Sequence, residues 1–274
     1  MADNLVQVTK DYYDSKSADE FYHTIWGGED IHVGIYLSDD EPIADASART
    51  VKEMATMADI TSSTEVLDVG AGYGGAARQL AREIGCHVTC LNLSTTENNR
   101  NIEKNKAAGL EDKIKVIEGN FEALPFAENS FDVVWCEDSF LHSNKKFEVF
   151  REIYRVLRPG GNLIFTDPMQ ADDCPRDVLG PILKRIHLEE MGSVAKYNDF
   201  AEQLGMEKVA VKEMPEQLVN HYGRVLDELT KNYDEAVKVS GQEYCDNMKK
   251  GLEHWVNGGN KGHLNWGILQ YRKK

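Results

Sequence analysis

The spacing of apolar positions changes period along the chain, and the changes mark out alternating strands and helices. Glu65-Val66-Leu67-Asp68-Val69 is a short apolar run that stops at glycine and reads as a buried strand from Val66 to Val69. Before it, Val51, Met54, Ala55 and Ala58 recur at helical spacing, which predicts an amphipathic helix within Ile43 to Ile60. After it, Ala76 to Ile84 reads as helix ended by Gly85, and His87 to Asn92 as a second strand. Ser94 caps a polar helix to about Ala108; Ile114 to Ile117 and Ser130 to Cys136 are further strands. Phe147, Phe150, Ile153, Tyr154 and Leu157 share one face of a helix opened by Ser143 and ended by Arg158-Pro159-Gly160-Gly161. Asn162 to Asp167 is the fifth strand. Strands alternating with helices of this length predict an α/β fold: a mostly parallel sheet with helices on both faces.

Outside this stretch the rhythm differs. Residues 176 to 204 read as helices broken at Gly192, Val209 to Lys212 as a short strand, and 214 to 250 as mostly helical. Gly258-Gly259 marks a loop, and Leu264 to Tyr271 a terminal strand. The first forty residues are rich in aromatics, with a helix expected from Ser17 to about Thr24, capped by Ser17 and stopped by Gly27-Gly28. Their rings either pack that helix on the core or form a lid over a small ligand, and such rings recognise quaternary ammonium groups. The resulting division is an aromatic lid (1–42), a nucleoside-binding core (43–169), a helical insertion carrying strand six (170–260) and a terminal core strand (261–274).

Composition narrows the partners. The net charge of −15 over 274 residues argues against nucleic acid, since phosphate binding needs clustered Lys and Arg. It suits solubility at high ionic strength. No run is long and apolar enough to span a membrane. Met1-Ala2-Asp3-Asn4 shows neither the basic nor the apolar region of a signal peptide, so a cytoplasmic protein is expected. The five cysteines include no C-x-x-C pair and no zinc-like spacing, and read as free thiols in a reducing compartment. No metal site and no oligomeric state is read from the chain.

The chemistry starts at Gly70-Ala71-Gly72-Tyr73-Gly74-Gly75. Without Cβ atoms, Gly70, Gly72 and Gly74 let the backbone turn sharply and approach a ligand. Asp68, just before the turn, would meet an amine rather than a phosphate, which favours a nucleoside with a cationic tail such as S-adenosylmethionine. Gly70, Gly72 and Gly75 also satisfy the dinucleotide pattern G-x-G-x-x-G, so the turn alone leaves a dinucleotide and a purely structural turn open.

Taken together, Leu67 to Gly74, Asn120-Phe121-Glu122-Ala123-Leu124-Pro125-Phe126 with Ser130-Phe131-Asp132, and Leu157 to Gly161 resemble the motifs of class I S-adenosylmethionine-dependent methyltransferases. Dehydrogenases do not carry this set. The resemblance implies a Rossmann-like seven-stranded core with a helical lid, and S-adenosyl-L-methionine as cofactor. The contacts it implies are Tyr13, Asp68, Gly70, Gly72, Gly74, Asn92, Leu93, Ser94, Asn120, Phe121 and Glu137. Asn92 and Asn120 stand where acids are commoner.

Trp26 to Gly34, Asp138 to Ser143, Thr166 to Met169, Arg185 to Leu188 and Gly262 to Gly267 resemble, more narrowly, the sarcosine/dimethylglycine N-methyltransferases, which make glycine betaine for osmoprotection. The related phosphoethanolamine methyltransferases pair an N-terminal Tyr with a His after strand four as an active-site latch, which by position implies Tyr13 and His142. For a small amino-acid substrate, His142 is the candidate base, set against a merely lid-bonding role. Arg185, assisted by His187, is the candidate carboxylate anchor. Tyr22 and Trp26 face the growing ammonium or pack the lid. Arg158 and the basic tail Arg272-Lys273-Lys274 read as structural turn and solvated terminus. A phosphobase methyltransferase, a non-catalytic S-adenosylmethionine sensor and a nicotinamide oxidoreductase are the other readings.

Overall fold

The computed structural model describes residues 2–175 and 178–274. The helical stretch expected from 176 begins on Arg176 and Asp177, which lie outside the described residues, as does Met1 of the terminal tetrapeptide. In chain order the elements are α1 (Ala2–Asp14), α2 (Lys16–Thr24), α3 (Ile43–Met57), β1 (Glu65–Val69), α4 (Gly75–Glu83), β2 (His87–Asn92), α5 (Thr95–Ala107), β3 (Ile114–Glu118) and β4 (Phe131–Glu137). A 3-10 turn (Phe140–His142) leads to α6 (Lys146–Val156) and β5 (Leu157–Thr166). Then follow β6 (Met169–Gln170), α7 (Gly180–Arg185), α8 (Val194–Gln203), β7 (Glu207–Glu213), α9 (Pro215–Lys231), α10 (Tyr233–Ser240), α11 (Gln242–Asn260), β8 (Leu264–Asn265) and β9 (Gly267–Arg272).

The seven-stranded sheet has the order β3-β2-β1-β4-β5-β9-β7, with β9 antiparallel to both neighbours. The chain runs outward from β1 through β2 to β3, then crosses to β4 on the other side of β1. That reversal opens a crevice at the carboxyl ends of β1 and β4, where ligands of open α/β sheets bind. The strands forming it are apolar because both faces are covered: Val66, Leu67, Val69, Val134, Trp135 and Cys136 are all buried.

Several local readings are corrected. The first helix comes earlier than expected, and the second is capped by Ser15, whose hydroxyl accepts from Ala18 N, rather than by Ser17. Ser143 does not open α6; its hydroxyl accepts from Lys145 N and bonds Glu122. Gly258 and Gly259 lie inside α11, where a Cβ on Gly259 would come within 2.4 Å of Val219 on α9 and one on Gly258 within 2.9 Å of Leu264 on β8, so each serves a close approach of α11 to a neighbour. The terminal strand is interrupted at Trp266, and Lys273 is not solvated: its ammonium donates to Asn129, Tyr154 O and Leu157 O at 2.7–3.0 Å. Arg158 pairs with Asp132 at 2.7 Å.

Candidate active site

Two adjoining cavities occupy the crevice. The first, of about 940 Å³, is walled by the end of β1, the glycine turn, the ends of β2 and β4, and helix α1. Asp68, Gly70, Gly72, Asn92, Leu93, Ser94, Asn120, Phe121 and Glu137 all line it, as does Tyr13. Gly74 does not. It caps α4 with φ 76°, and a Cβ there would meet Asn101 at 2.2 Å, so its role is to let α4 pack on α5. Gly70, with φ 78°, carries the turn past Ser139, which a Cβ would strike at 2.3 Å.

The wall is rich in buried acid. Asp68 is nearly inaccessible, and its carboxyl is raised well above the usual range by burial and by the charge of Glu137. Burial pushes Glu137 up to about 7, with His32 opposing. Burial disfavours the charged form of His32, yet Glu137, Asp30 and Asp138 together raise it to about 10. Its Nε2 lies 3.4 Å from Glu137 and 3.7 Å from Asp30, while Nδ1 donates to Val33 O at 3.1 Å. Among the described residues Glu137 Oε1 is buried without a hydrogen bond. Such a wall, acidic at one end and flanked by Leu93 and Phe121 at the other, fits a nucleoside with a cationic amino-acid tail. The donor set therefore fits S-adenosylmethionine: acids for its ammonium and sulfonium, bare glycine backbone beneath it, and Asn92, Ser94 and Glu97 near the second strand's end. Burial holds Glu97 up at about 8, with Asn92 opposing.

The second cavity, of about 1030 Å³, lies under α1, α2, α7, α9 and α11. Tyr22, Trp26, Arg185 and His187 all line it, so the structure brings together the residues singled out in distant stretches. Tyr222 and Trp255 add a stacked pair with ring centroids 5.0 Å apart. Arg185 donates from Nη2 to Met248 Sδ at 2.9 Å and lies flat against α11 at Gly251. His187 is exposed and takes a left-handed φ of 56°.

Tyr13, Asp138 and His142 line both cavities. Tyr13 Oη and His142 Nε2 are 3.0 Å apart. Burial raises the tyrosine well above its ordinary value, while burial and the charge of Lys146 lower His142 to about 4. The hydroxyl therefore donates and the neutral imidazole accepts. Asp138, whose left-handed φ of 52° turns it into the junction, accepts from Val33 N at 2.6 Å and Trp266 Nε1 at 2.8 Å. Burial raises its carboxyl, with those donors and His32 opposing. The break at Trp266 thus places an indole donor on this acid.

Sequence reasoning carried Asp138 only as part of the Asp138 to Ser143 stretch and did not single out Asp30, His32 or Glu97. Asp30 and His32 lay within the quoted Trp26 to Gly34 stretch. Glu97 is announced by Ser94-x-x-Glu97, the spacing of a capping box.

The sheet order, the glycine turn and the acid-walled crevice define a class I S-adenosylmethionine-dependent methyltransferase. A family model described as a methyltransferase domain matches residues 67–165. The chain is 52% identical over 273 residues to a sarcosine/dimethylglycine N-methyltransferase of Aphanothece halophytica, covering 99% of both. It is 51% identical to another from Halorhodospira halochloris, covering 99% of this chain and 98% of that one. A crystal structure described as that of a sarcosine dimethylglycine methyltransferase from Galdieria sulphuraria superposes with TM-score 0.91 at 43% identity, covering 96% of this chain and 99% of that one. The chain belongs to the sarcosine/dimethylglycine N-methyltransferase family.

Proposed function

We propose that the enzyme methylates the nitrogen of dimethylglycine, and of sarcosine, at the junction of the two cavities, dimethylglycine leaving as glycine betaine. The observation that carries this reading is the second cavity's composition: among the described residues one guanidinium, Arg185, stands among aromatic faces, and the cavity opens through Tyr13, Asp138 and His142 onto the nucleoside cavity. Arg185 offers a planar fork to the substrate carboxylate, with His187 beside it. Tyr22, Trp26, Tyr222 and Trp255 offer ring faces to a methylated ammonium. A phosphobase would call for more cationic groups than these.

Bound S-adenosylmethionine supplies an electrophilic methyl carbon, which an amine lone pair attacks in one displacement. Alignment of the two cavities supplies much of the acceleration. The amine must first be without its extra proton. Aliphatic ammonium groups titrate near about 10, so passing that proton to His142, near 4, costs roughly 8 kcal/mol. We therefore assign His142 to holding Tyr13, and with it α1, over the site. Asp138, held by two donors at the junction of the cavities, is the carboxylate that balances the cation, and the amine gives up its proton to solvent before it enters. Helix α1 is fastened besides by Lys10, which donates to Leu93 O at 2.8 Å, and by Asp14, which accepts from Ser94 Oγ at 2.7 Å.

Among the described residues no helix is long and apolar enough to cross a membrane. A cytosolic location belongs to the same reading, supported by five cysteines that are all free thiols. The test is product formation from S-adenosylmethionine with glycine, sarcosine, dimethylglycine and phosphoethanolamine, each supplied alone. Betaine from dimethylglycine is expected. Turnover of the phosphobase alone would keep the cofactor and overturn the substrate.

A further inference from the structure

In sheets of this class the side chain at the carboxyl end of the second strand meets the nucleoside ribose, and an acid there accepts from the hydroxyls. Here that position is an amide, Asn92. Its Nδ2 donates to Glu97 Oε2 at 2.7 Å. Its main chain is pinned as well, the carbonyl accepting from Gly119 N and from Asn98 Nδ2, each at 3.1 Å. Glu97 stands in the first turn of α5, where Ser94 Oγ accepts from its N–H at 3.0 Å. A glutamate at this spacing ordinarily turns back to the N–H of the cap residue. This one turns instead to Asn92, is 3% exposed, and lines the first cavity beside it. A carboxyl so buried needs partners. Among the described residues the Asn92 amide is the side chain that bonds it, so acceptor capacity remains on both members of the pair.

We propose that Glu97 and Asn92 form one acid–amide unit that holds the ribose hydroxyls of the methyl donor, the acid of the strand end having moved into the first turn of the next helix. The inference rests on the first cavity being the nucleoside site and is independent of which amine is methylated. Glu97 accepts from one hydroxyl, the Asn92 side-chain oxygen accepts from the other, and the Asn92 amide N–H fixes the carboxyl between them. Asp14 from α1 and Asp19 from α2 are the charges that bear on Glu97. A second acid at Asn92 would add to them, so restoring the commoner residue at the strand end should weaken binding.

The test is calorimetric binding of S-adenosylhomocysteine and of its 2′-deoxy counterpart to the natural protein, Glu97→Gln, Asn92→Asp and the double variant, with the melting of each unliganded protein measured alongside. The single variants carry two amides or two acids. Each is expected to bind S-adenosylhomocysteine about tenfold more weakly or worse, and to lose the preference for the intact ribose. The double variant exchanges acid and amide and should regain affinity to within about threefold. Asn92→Asp binding as tightly as the natural protein would overturn the proposal. So would Glu97→Gln keeping affinity and preference, or a double variant no better than the weaker single one. A variant that melts early is judged on the ribose preference, because partial unfolding lowers both affinities by one factor. Failure of the natural protein to bind S-adenosylhomocysteine would instead remove the cavity's assignment.

Discussion

A methyl group added at Gly251 would separate fold from function. Gly251 is buried within α11, and a Cβ there would lie 1.8 Å from Arg185 Nη1 and 2.1 Å from its Cζ. The obstructing atoms belong to the end of a flexible side chain, so the guanidinium moves and the helix stays. Alanine in place of glycine favours the helix by about 1 kcal/mol, which offsets the lost packing of the guanidinium. Displaced from Met248 and from the cavity wall, Arg185 no longer presents its fork to the substrate carboxylate. A hydrogen bond between charged groups is worth about 1.5–3 kcal/mol, which corresponds to a rise in KM of roughly ten- to a hundredfold. Gly251→Ala should therefore raise KM for dimethylglycine on that scale, leave S-adenosylhomocysteine affinity unchanged and melt at or above the natural temperature. Initial rates at saturating methyl donor, calorimetry and a melting curve read the three quantities. A KM within about twofold of the natural value, in a protein that melts normally, would refute Arg185 as the anchor.

Three further outcomes are expected. His142→Ala and Tyr13→Phe should each lower turnover more than cofactor affinity, and the double variant should fall no further than the worse single one; additive losses in kcat would mean the two act separately. Glu137 is neutral below about 7 and charged above it, so affinity for the cationic methyl donor should fall as pH drops through 7, and Glu137→Gln should flatten that profile. A titration of binding against pH that is flat in the natural protein would contradict this. Lys273→Met leaves three acceptors unpaired and should cost about 1–3 kcal/mol, seen as a lower melting temperature with an unchanged KM.

The core was legible because local signals and the sheet agreed. Val66 to Val69 is bounded by a glycine that must turn, and Ser94 does cap α5 as its position predicts. What the pattern misjudged was decided by packing between distant stretches. Lys273 looks like a tail residue until β9 is laid beside β5, which brings its ammonium over the carbonyls at the end of α6. Gly258-Gly259 looks like a loop until Leu264 and α9 require close approach. In the site, the glycine turn announced itself through residues a few positions apart. Asp138 depended on Trp266, more than a hundred residues along, to give it a partner, and no spacing in the chain encodes that contact. His32 is one of two histidines in the aromatic N-terminal stretch, and only the fold shows that it faces Glu137 and Asp30.

The division of charge between the cavities bears on why Asp138 stands where it does. Methyl transfer carries one positive charge out of the first cavity, whose acids include Asp68 and Glu137, and into the second, where ring faces and the Arg185 guanidinium wait. The acids that help seat the methyl donor therefore oppose the step if they act alone, because only interactions stronger in the transition state than in the ground state accelerate it. Asp138 lines both cavities and interacts with the charge on either side of the junction, so it lowers the electrostatic cost of the passage. Two fixed donors, Val33 N–H and the Trp266 indole, hold that carboxylate in place before the reaction begins. The ring faces then complete the gradient, since they attract the cation only once it has formed on nitrogen.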